Sequence, residues 1–288
     1  MKVLITGANG QVGHALQATA PVSAQITAFD RAGLDIGDSD AVDAAVAQIR
    51  PDLIINAAAY TAVDRAESEA DLAWQINGKA PGLLAAAAYR SGARFIHIST
   101  DFVFDGAAGT PYRPDSPTDP LGTYGASKLA GEQAALAANP ASLIVRTAWV
   151  YGTHGNNFVR TMLRLMAERD EVKVVADQVG TPTFATGLAK ALWALHAAGA
   201  LGIHHWTDSG AASWYDFALA IQEEALGLGL LTRSVPVIPI ATSDYPTPAR
   251  RPSYSILDKS AAVALVGAPA PHWRVHLRDM LGEIKAHG

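Results

Sequence analysis

Tyr124 and Lys128 stand four positions apart in a segment of helical composition, so a helix places both side chains on one face. A phenol ionises near pKa ~10 and is a poor acid or base at neutral pH. An ammonium group beside it favours the phenolate, which predicts that Lys128 lowers the pKa of Tyr124. A phenol tuned in this way exchanges a proton with a carbonyl or alcohol oxygen. Thr100, just past an apolar run, can hydrogen-bond the same oxygen. Alone, Tyr and Lys at this spacing also make an ordinary surface pair. Convergence with Thr100 and with a second motif makes them candidate catalytic residues.

The second motif is Gly7-Ala8-Asn9-Gly10-Gln11-Val12-Gly13, directly after the apolar run Val3-Leu4-Ile5. It reads as a strand, a glycine-rich turn and a helix start. Glycines let the backbone turn tightly and approach a pyrophosphate, and the helix N-terminus offers it unpaired N–H groups. Asp30, at the end of the next apolar run, suits the hydroxyls of an adenosine ribose. The chain therefore carries the marks of a dinucleotide site. Asp30 favours a free 2′-hydroxyl, as in NADH, and Arg31 beside it suits a 2′-phosphate, as in NADPH, so both coenzymes stay open. Ala57-Ala58-Ala59 after Asn56 is small enough for a flat cofactor to lie on the backbone, and Asp35-Ile36 is placed to flank an adenine or, equally, to put Ile36 in the core.

These residues need a scaffold of alternating elements. Strands are expected at Lys2–Thr6, Ile26–Phe29, Leu53–Asn56, Phe95–Ser99 and Leu143–Arg146, with helices at Ala41–Ile49, Asp71–Tyr89 and Tyr124–Ala138 between them. Short apolar strands alternating with helices predict an α/β fold, a Rossmann-type doubly wound parallel sheet with both faces covered. Ligands bind such sheets at the carboxyl ends of the strands, where Thr6, Asp30, Asn56, Thr100 and Thr147 fall. The second half is less regular, with a long Pro/Gly/Asp loop over 106–123, helices at Asn157–Arg169, Ser213–Glu224 and Trp273–Ala286, and a proline-rich stretch at 242–252. We expect residues 1–151, plus roughly 184–206, to form the NAD(P)-binding domain. Residues 152–183 and 207–288 are expected to form a smaller C-terminal substrate-binding lobe. Trp149, after the fifth strand, and Arg251, in the proline-rich stretch of that lobe, are expected to meet the substrate, the ring packing on a base or sugar and the guanidinium binding a diphosphate.

The 288 residues suffice for a large core, and 49% hydrophobic with 17% charged composition predicts an ordered globular protein. A net charge of −5 without a basic run argues against nucleic acid. The absence of cysteine excludes disulfides and thiolate chemistry, and the histidines show no metal-ligand spacing. The apolar stretch 187–203 contains Lys190 and His196 and reads as a core helix, not a membrane span, and the N-terminal run ends too early for a signal peptide. A cytoplasmic protein is expected.

The glycine spacing with Thr100 and Tyr124-Gly125-Ala126-Ser127-Lys128 resembles the extended branch of the short-chain dehydrogenase/reductase superfamily. Further segments resemble the dTDP-4-dehydrorhamnose reductase family. They are Gln11 within the glycine motif, Asn56 to Asp64, Ser99 to Gly106 (with Phe102 where Tyr is usual), Gly131-Glu132, Arg146 to Tyr151, Gly155 to Phe158, Asp177 to Thr183, and Arg251-Pro252 with Ser255-Ile256-Leu257. The resemblance implies NADPH- or NADH-dependent reduction of the C4 ketone of dTDP-4-dehydro-6-deoxy-L-mannose to dTDP-L-rhamnose. It implies catalysis by Thr100, Tyr124 and Lys128. It further implies cofactor contacts from Gly7, Gly10, Gln11, Val12, Asp30, Asp35, Ile36, Ala59, Tyr60, Thr61, Tyr124 and Lys128, and dTDP-sugar contacts from Thr100, Asp101, Tyr124, Trp149, Asn157 and Arg251. Some relatives are similar to a metal-bridged dimer built on glutamates. Here His14-Ala15 follows the glycine motif, so no structural metal is expected, and a monomer or homodimer stays open. Two alternatives also remain: a nucleotide-sugar epimerase or dehydratase of the same superfamily, and a non-catalytic regulatory subunit.

Overall fold

Apolar runs that end in a polar or glycine residue become the strands of one parallel sheet in the computed structural model, which describes residues 1–287. The strands are β1 (Lys2–Thr6), β2 (Gln25–Phe29), β3 (Leu53–Asn56), β4 (Arg94–Thr100) and β5 (Leu143–Thr147), joined by the edge strand Gly202–His205. Their spatial order is Gly202–His205, β5, β4, β3, β1, β2, with every pairing parallel. All residues of β3 and β5 are buried, as a sheet covered on both faces requires.

The chain runs from β1 outward to β2 and then returns to the other side of β1 as β3. The sheet reverses its winding direction between β1 and β3, and such a switch point opens a crevice at the carboxyl ends of the strands. Thr6 and Asn56 face each other there in register.

Helix α1 (Gln11–Ala18) starts at the glycine-rich turn, and α2 (Ser39–Ile49) starts at Asp38, whose carboxylate accepts from the Asp40 and Ala41 amides. The helix expected over Asp71–Tyr89 is interrupted. Ala70–Ala73 and Ala80–Ser91 are α-helical, but Trp74–Lys79 between them is a π-turn. Such a turn adds one residue per turn and has no composition of its own. The helix Thr123–Ala138 packs beside it.

Two large apolar cores flank the sheet. A further core lies off it, built by Tyr151, Val159, Met166, Phe184, Phe217, Trp273, Leu277 and neighbours from later segments. In that core Val172–Val175 pairs in parallel with Val237–Ile240. The long 106–122 loop is held by a small cluster of Val103, Phe104, Tyr112 and Leu257. No helix among the described residues is long and apolar enough to cross a membrane.

Candidate active site

The glycine turn is built by close backbone approach. Gly7 has φ +76°, and a Cβ there would lie 2.6 Å from the Ala58 nitrogen. A Cβ on Gly13 would lie 2.1 Å from the Gly7 carbonyl oxygen. Gly10 precedes α1 and supplies no capping side chain, so the first-turn amides of Gln11, Val12 and Gly13 remain open to an anion. The half-buried Ala57, Ala58 and Ala59 lie across the crevice. Open helix amides, a collapsed glycine turn and a small-residue wall fit a dinucleotide pyrophosphate at this place.

Around that crevice the predicted cofactor residues divide. Asp30 holds its own loop, with Oδ1 accepting from the Ala32 and Gly33 amides (3.0 and 2.9 Å) and Oδ2 from the Asn9 amide (2.8 Å). Asp35 is exposed and makes a turn with Gly37, whereas Ile36 is buried with 8% exposure. Ile36 packs in the core beside Leu34 and Val42. Val12 also packs against a core. Tyr60 is pinned at both backbone groups by Asn77 of the π-turn, and its hydroxyl donates to Glu69 at 2.5 Å. Thr61 is exposed. Gln11 turns its side chain away from α1. It donates to the Val150 carbonyl and accepts from the Asn157 amide at 2.9 Å.

The helix carrying Tyr124 and Lys128 is placed by two glycines. A Cβ on Gly125 would lie 2.2 Å from the Phe102 carbonyl, and one on Gly131 2.0 Å from the Asn77 carbonyl. These approaches bring Tyr124 to Thr100 at the end of β4. Glu67 caps the helix, accepting from the Thr123 amide and hydroxyl at 2.8 and 3.0 Å. Phe102 meets the Tyr124 ring edge-on at 5.5 Å. Burial pushes the Tyr124 phenol up to about 12, the Thr100 hydrogen bond pulls it down and Asp101 pushes it further up. Lys128 does not lower it, which corrects the expectation from sequence. The Lys128 ammonium end is buried and turned to the Ile98 carbonyl (2.6 Å) and to Nε2 of His97 (3.3 Å). Burial brings Lys128 down to about 8, and the Glu132 carboxylate opposes that shift.

Asp101 is 1% exposed and accepts from the Thr100 hydroxyl at 3.0 Å. Its other oxygen has no hydrogen-bond partner among the described residues. Burial pushes its carboxyl up to about 6, against the pull of the Thr100 hydroxyl. The site thus presents a neutral phenol, a threonine hydroxyl and a buried acid at one strand end, a set suited to giving a proton to a developing alkoxide.

Trp149 follows β5 with φ +46°, a left-handed conformation that costs roughly 1–2 kcal/mol for a non-glycine residue. Its ring stacks on Trp214 at 3.5 Å with a 7° interplanar angle. Asn157 caps the helix Phe158–Glu168 and spends its amide on Gln11 and on the Gly152 carbonyl. Arg251 is not a free cation. It grips both oxygens of Asp64 (3.1 and 2.8 Å) and reaches the Thr247 hydroxyl at 2.6 Å. Asp64, Asn77, His97 and Trp214 were missed as site residues. Their only signal in the sequence is a polar or aromatic residue beside a motif, since each partner lies far along the chain.

A doubly wound parallel sheet with a glycine turn at its switch point, and Thr100, Tyr124 and Lys128 at the adjacent strand end, define a protein of the extended short-chain dehydrogenase/reductase class. The family described as the RmlD substrate binding domain matches residues 1–286. A dTDP-4-dehydrorhamnose reductase of Burkholderia thailandensis is 45% identical over 298 residues, covering 98% of this chain and 100% of the relative. The crystal structure of a dTDP-4-dehydrorhamnose reductase from Clostridium acetobutylicum superposes with a TM-score of 0.94 at 41% identity, over 99% of this chain and 100% of that one. Another, from Bacillus anthracis str. Ames in complex with NADP, gives 0.93 at 40% identity, over 98% and 99%. The chain belongs to the dTDP-4-dehydrorhamnose reductase family.

Proposed function

We propose that this protein reduces the C4 ketone of dTDP-4-dehydro-6-deoxy-L-mannose to dTDP-L-rhamnose with NADPH or NADH. The observation that carries the reading is the Tyr124 phenol beside Thr100 at the carboxyl end of β4, in a chain of this family. The nicotinamide cofactor supplies the hydride. Thr100 orients the carbonyl, and Tyr124 gives its hydroxyl proton to the C4 oxygen. Lys128, buried on the same helix, would hold the nicotinamide ribose. Asp101 and Trp149 meet the sugar nucleotide. Residues 152–183 and 207–288 serve as the substrate lobe over the domain formed by 1–151 and 184–206. The protein works in the cytoplasm as a monomer or homodimer.

The test is loss of nicotinamide absorbance with this keto-sugar nucleotide, run in parallel with NADH and NADPH. No oxidation of either coenzyme overturns the reading.

Two variants probe its halves. Asp30→Ala weakens NADH more than NADPH, because only a free 2′-hydroxyl donates to the carboxylate, and Arg31→Ala does the reverse. Equal losses for both coenzymes in both variants would show that this loop does not read the 2′ position. Arg251→Ala raises the KM for sugar nucleotide and leaves that for coenzyme nearly unchanged. Loss of a charge-assisted hydrogen bond weakens binding roughly 10- to 150-fold. Calorimetric titration with dTDP checks this, and unaltered affinity would leave Arg251 as a clamp on Asp64 alone.

A further inference from the structure

The residues beneath Lys128 form a buried hydrogen-bond chain whose direction can be read from one end. Thr6 Oγ1 donates to Asn56 Oδ1 at 2.7 Å, Asn56 Nδ2 meets His97 Nδ1 at 3.0 Å, and His97 Nε2 meets Lys128 Nζ at 3.3 Å. Asn56 and His97 have no exposed surface. The Ala58 backbone N–H also points at Asn56 Oδ1, at 3.2 Å. A backbone N–H only donates, so that atom of Asn56 must be its oxygen and the amide cannot be flipped. Asn56 Nδ2 therefore donates, and His97 Nδ1 accepts. A neutral imidazole with an accepting Nδ1 carries its proton on Nε2. That N–H points at Lys128.

An ammonium group has three donors and no acceptor. Facing the His97 N–H it makes a donor–donor contact, whereas a free amine accepts that N–H with its lone pair and still donates to the Ile98 carbonyl. Moving the imidazole proton to Nδ1 relieves Lys128 only by creating the same conflict at Asn56. We propose that His97 is a positioning residue that, through the hydrogen-bond direction fixed by Ala58 and Asn56, favours the free-amine form of Lys128 over the ammonium form.

The other charged groups around Lys128 do not remove this bias. On its own helix lie Tyr124, which is neutral, and Glu132, whose carboxylate is taken by Arg146 of β5. Asp101 follows β4 and faces Tyr124 and Thr100. From the π-turn, Asn77 presents only an amide, to Ser127. Burial acts in the same direction on both partners, lowering Lys128 and holding His97 well below its ordinary range.

The meaning for catalysis rests on the reductase reading, but the proton arrangement belongs to the ligand-free chain and is measured there. Nitrogen-15 NMR of the histidine-labelled protein reads the tautomer, and a carbon-13 titration of labelled lysine reads Lys128. His97→Gln identifies the His97 signals and offers Lys128 a carbonyl acceptor. We expect a neutral His97 protonated at Nε2, with Lys128 titrating well below the exposed lysines. In His97→Gln the Lys128 inflection rises by about one pH unit, the scale of one hydrogen bond. Asn56→Asp, which exchanges the donating amide for an acceptor, moves the His97 proton to Nδ1 and raises Lys128 likewise. A wild-type Nδ1–H tautomer overturns the proposal, as does a Lys128 inflection among the exposed lysines or one unchanged in His97→Gln. The wild-type tautomer decides the matter by itself if either variant fails to fold. A missing keto-sugar activity with the expected titration would overturn the reductase reading and leave this inference standing.

Discussion

Tyr124→Phe lowers kcat by about 100- to 10,000-fold, the usual worth of a positioned general acid. Burial holds the phenol up to about 12, so the O–H is intact throughout the neutral range and is the proton source at the strand end. Phe keeps the ring and its edge-on contact with Phe102, so the helix and the coenzyme crevice persist. The Kd for NADPH should therefore change little, as coenzyme fluorescence will show. Turnover above about a third of wild type lies far outside that range and would remove Tyr124 as the donor.

Arg146→Ala is expected to be the most destabilising of the single changes considered. Arg146 and Glu132 are 3% and 2% exposed and meet fork to fork at 2.9 and 2.7 Å. Arg146 also donates to the Pro114 carbonyl at 3.2 Å and lies 5.1 Å over the Phe104 ring. One side chain thus ties the catalytic helix, β5 and the 106–122 loop together. Removing it leaves the Glu132 carboxylate buried without a partner, which costs about 3–5 kcal/mol. Replacing both residues with Met and Leu recovers most of that, because an apolar pair of similar volume avoids desolvating two charges. Urea midpoints of the single and double variants measure both effects. A single variant within about 1 kcal/mol of wild type would show that water reaches Glu132.

The strands and the positions of the candidate catalytic residues were readable because each depends on local order. β1 and β3 have the expected bounds, β2 and β5 differ by one residue at one end and β4 by one at each end, since an apolar run and the polar residue that stops it are adjacent in the chain. Thr100, Tyr124 and the glycine turn follow for the same reason. What could not be read is set by distant partners. The direction of Lys128 depends on His97 and Ile98, and with those atoms engaged the expected effect of Lys128 on Tyr124 disappears. Ile36 looked equally suited to ligand and core, and its packing beside Leu34 and Val42 depends on residues that only the fold brings together. Arg251 was expected on a substrate diphosphate, and its grip on Asp64 was not legible because Asp64 lies in the other half of the chain. The π-turn at Trp74–Lys79 has helical composition throughout, yet its Asn77 fixes Tyr60.

The edge strand Gly202–His205 has a consequence for biogenesis. Among the described residues it pairs only with β5, but in sequence it follows the segment that leaves the sheet to build the third core. On the ribosome the nascent chain therefore completes β5, five buried residues, well before its outer neighbour emerges. In that interval a strand destined for full burial shows unpaired amides and carbonyls to the cell, the kind of edge that recruits other chains. Fragments ending between residues 150 and 200 should aggregate during synthesis, and chaperone demand should fall once Gly202–His205 has left the exit tunnel.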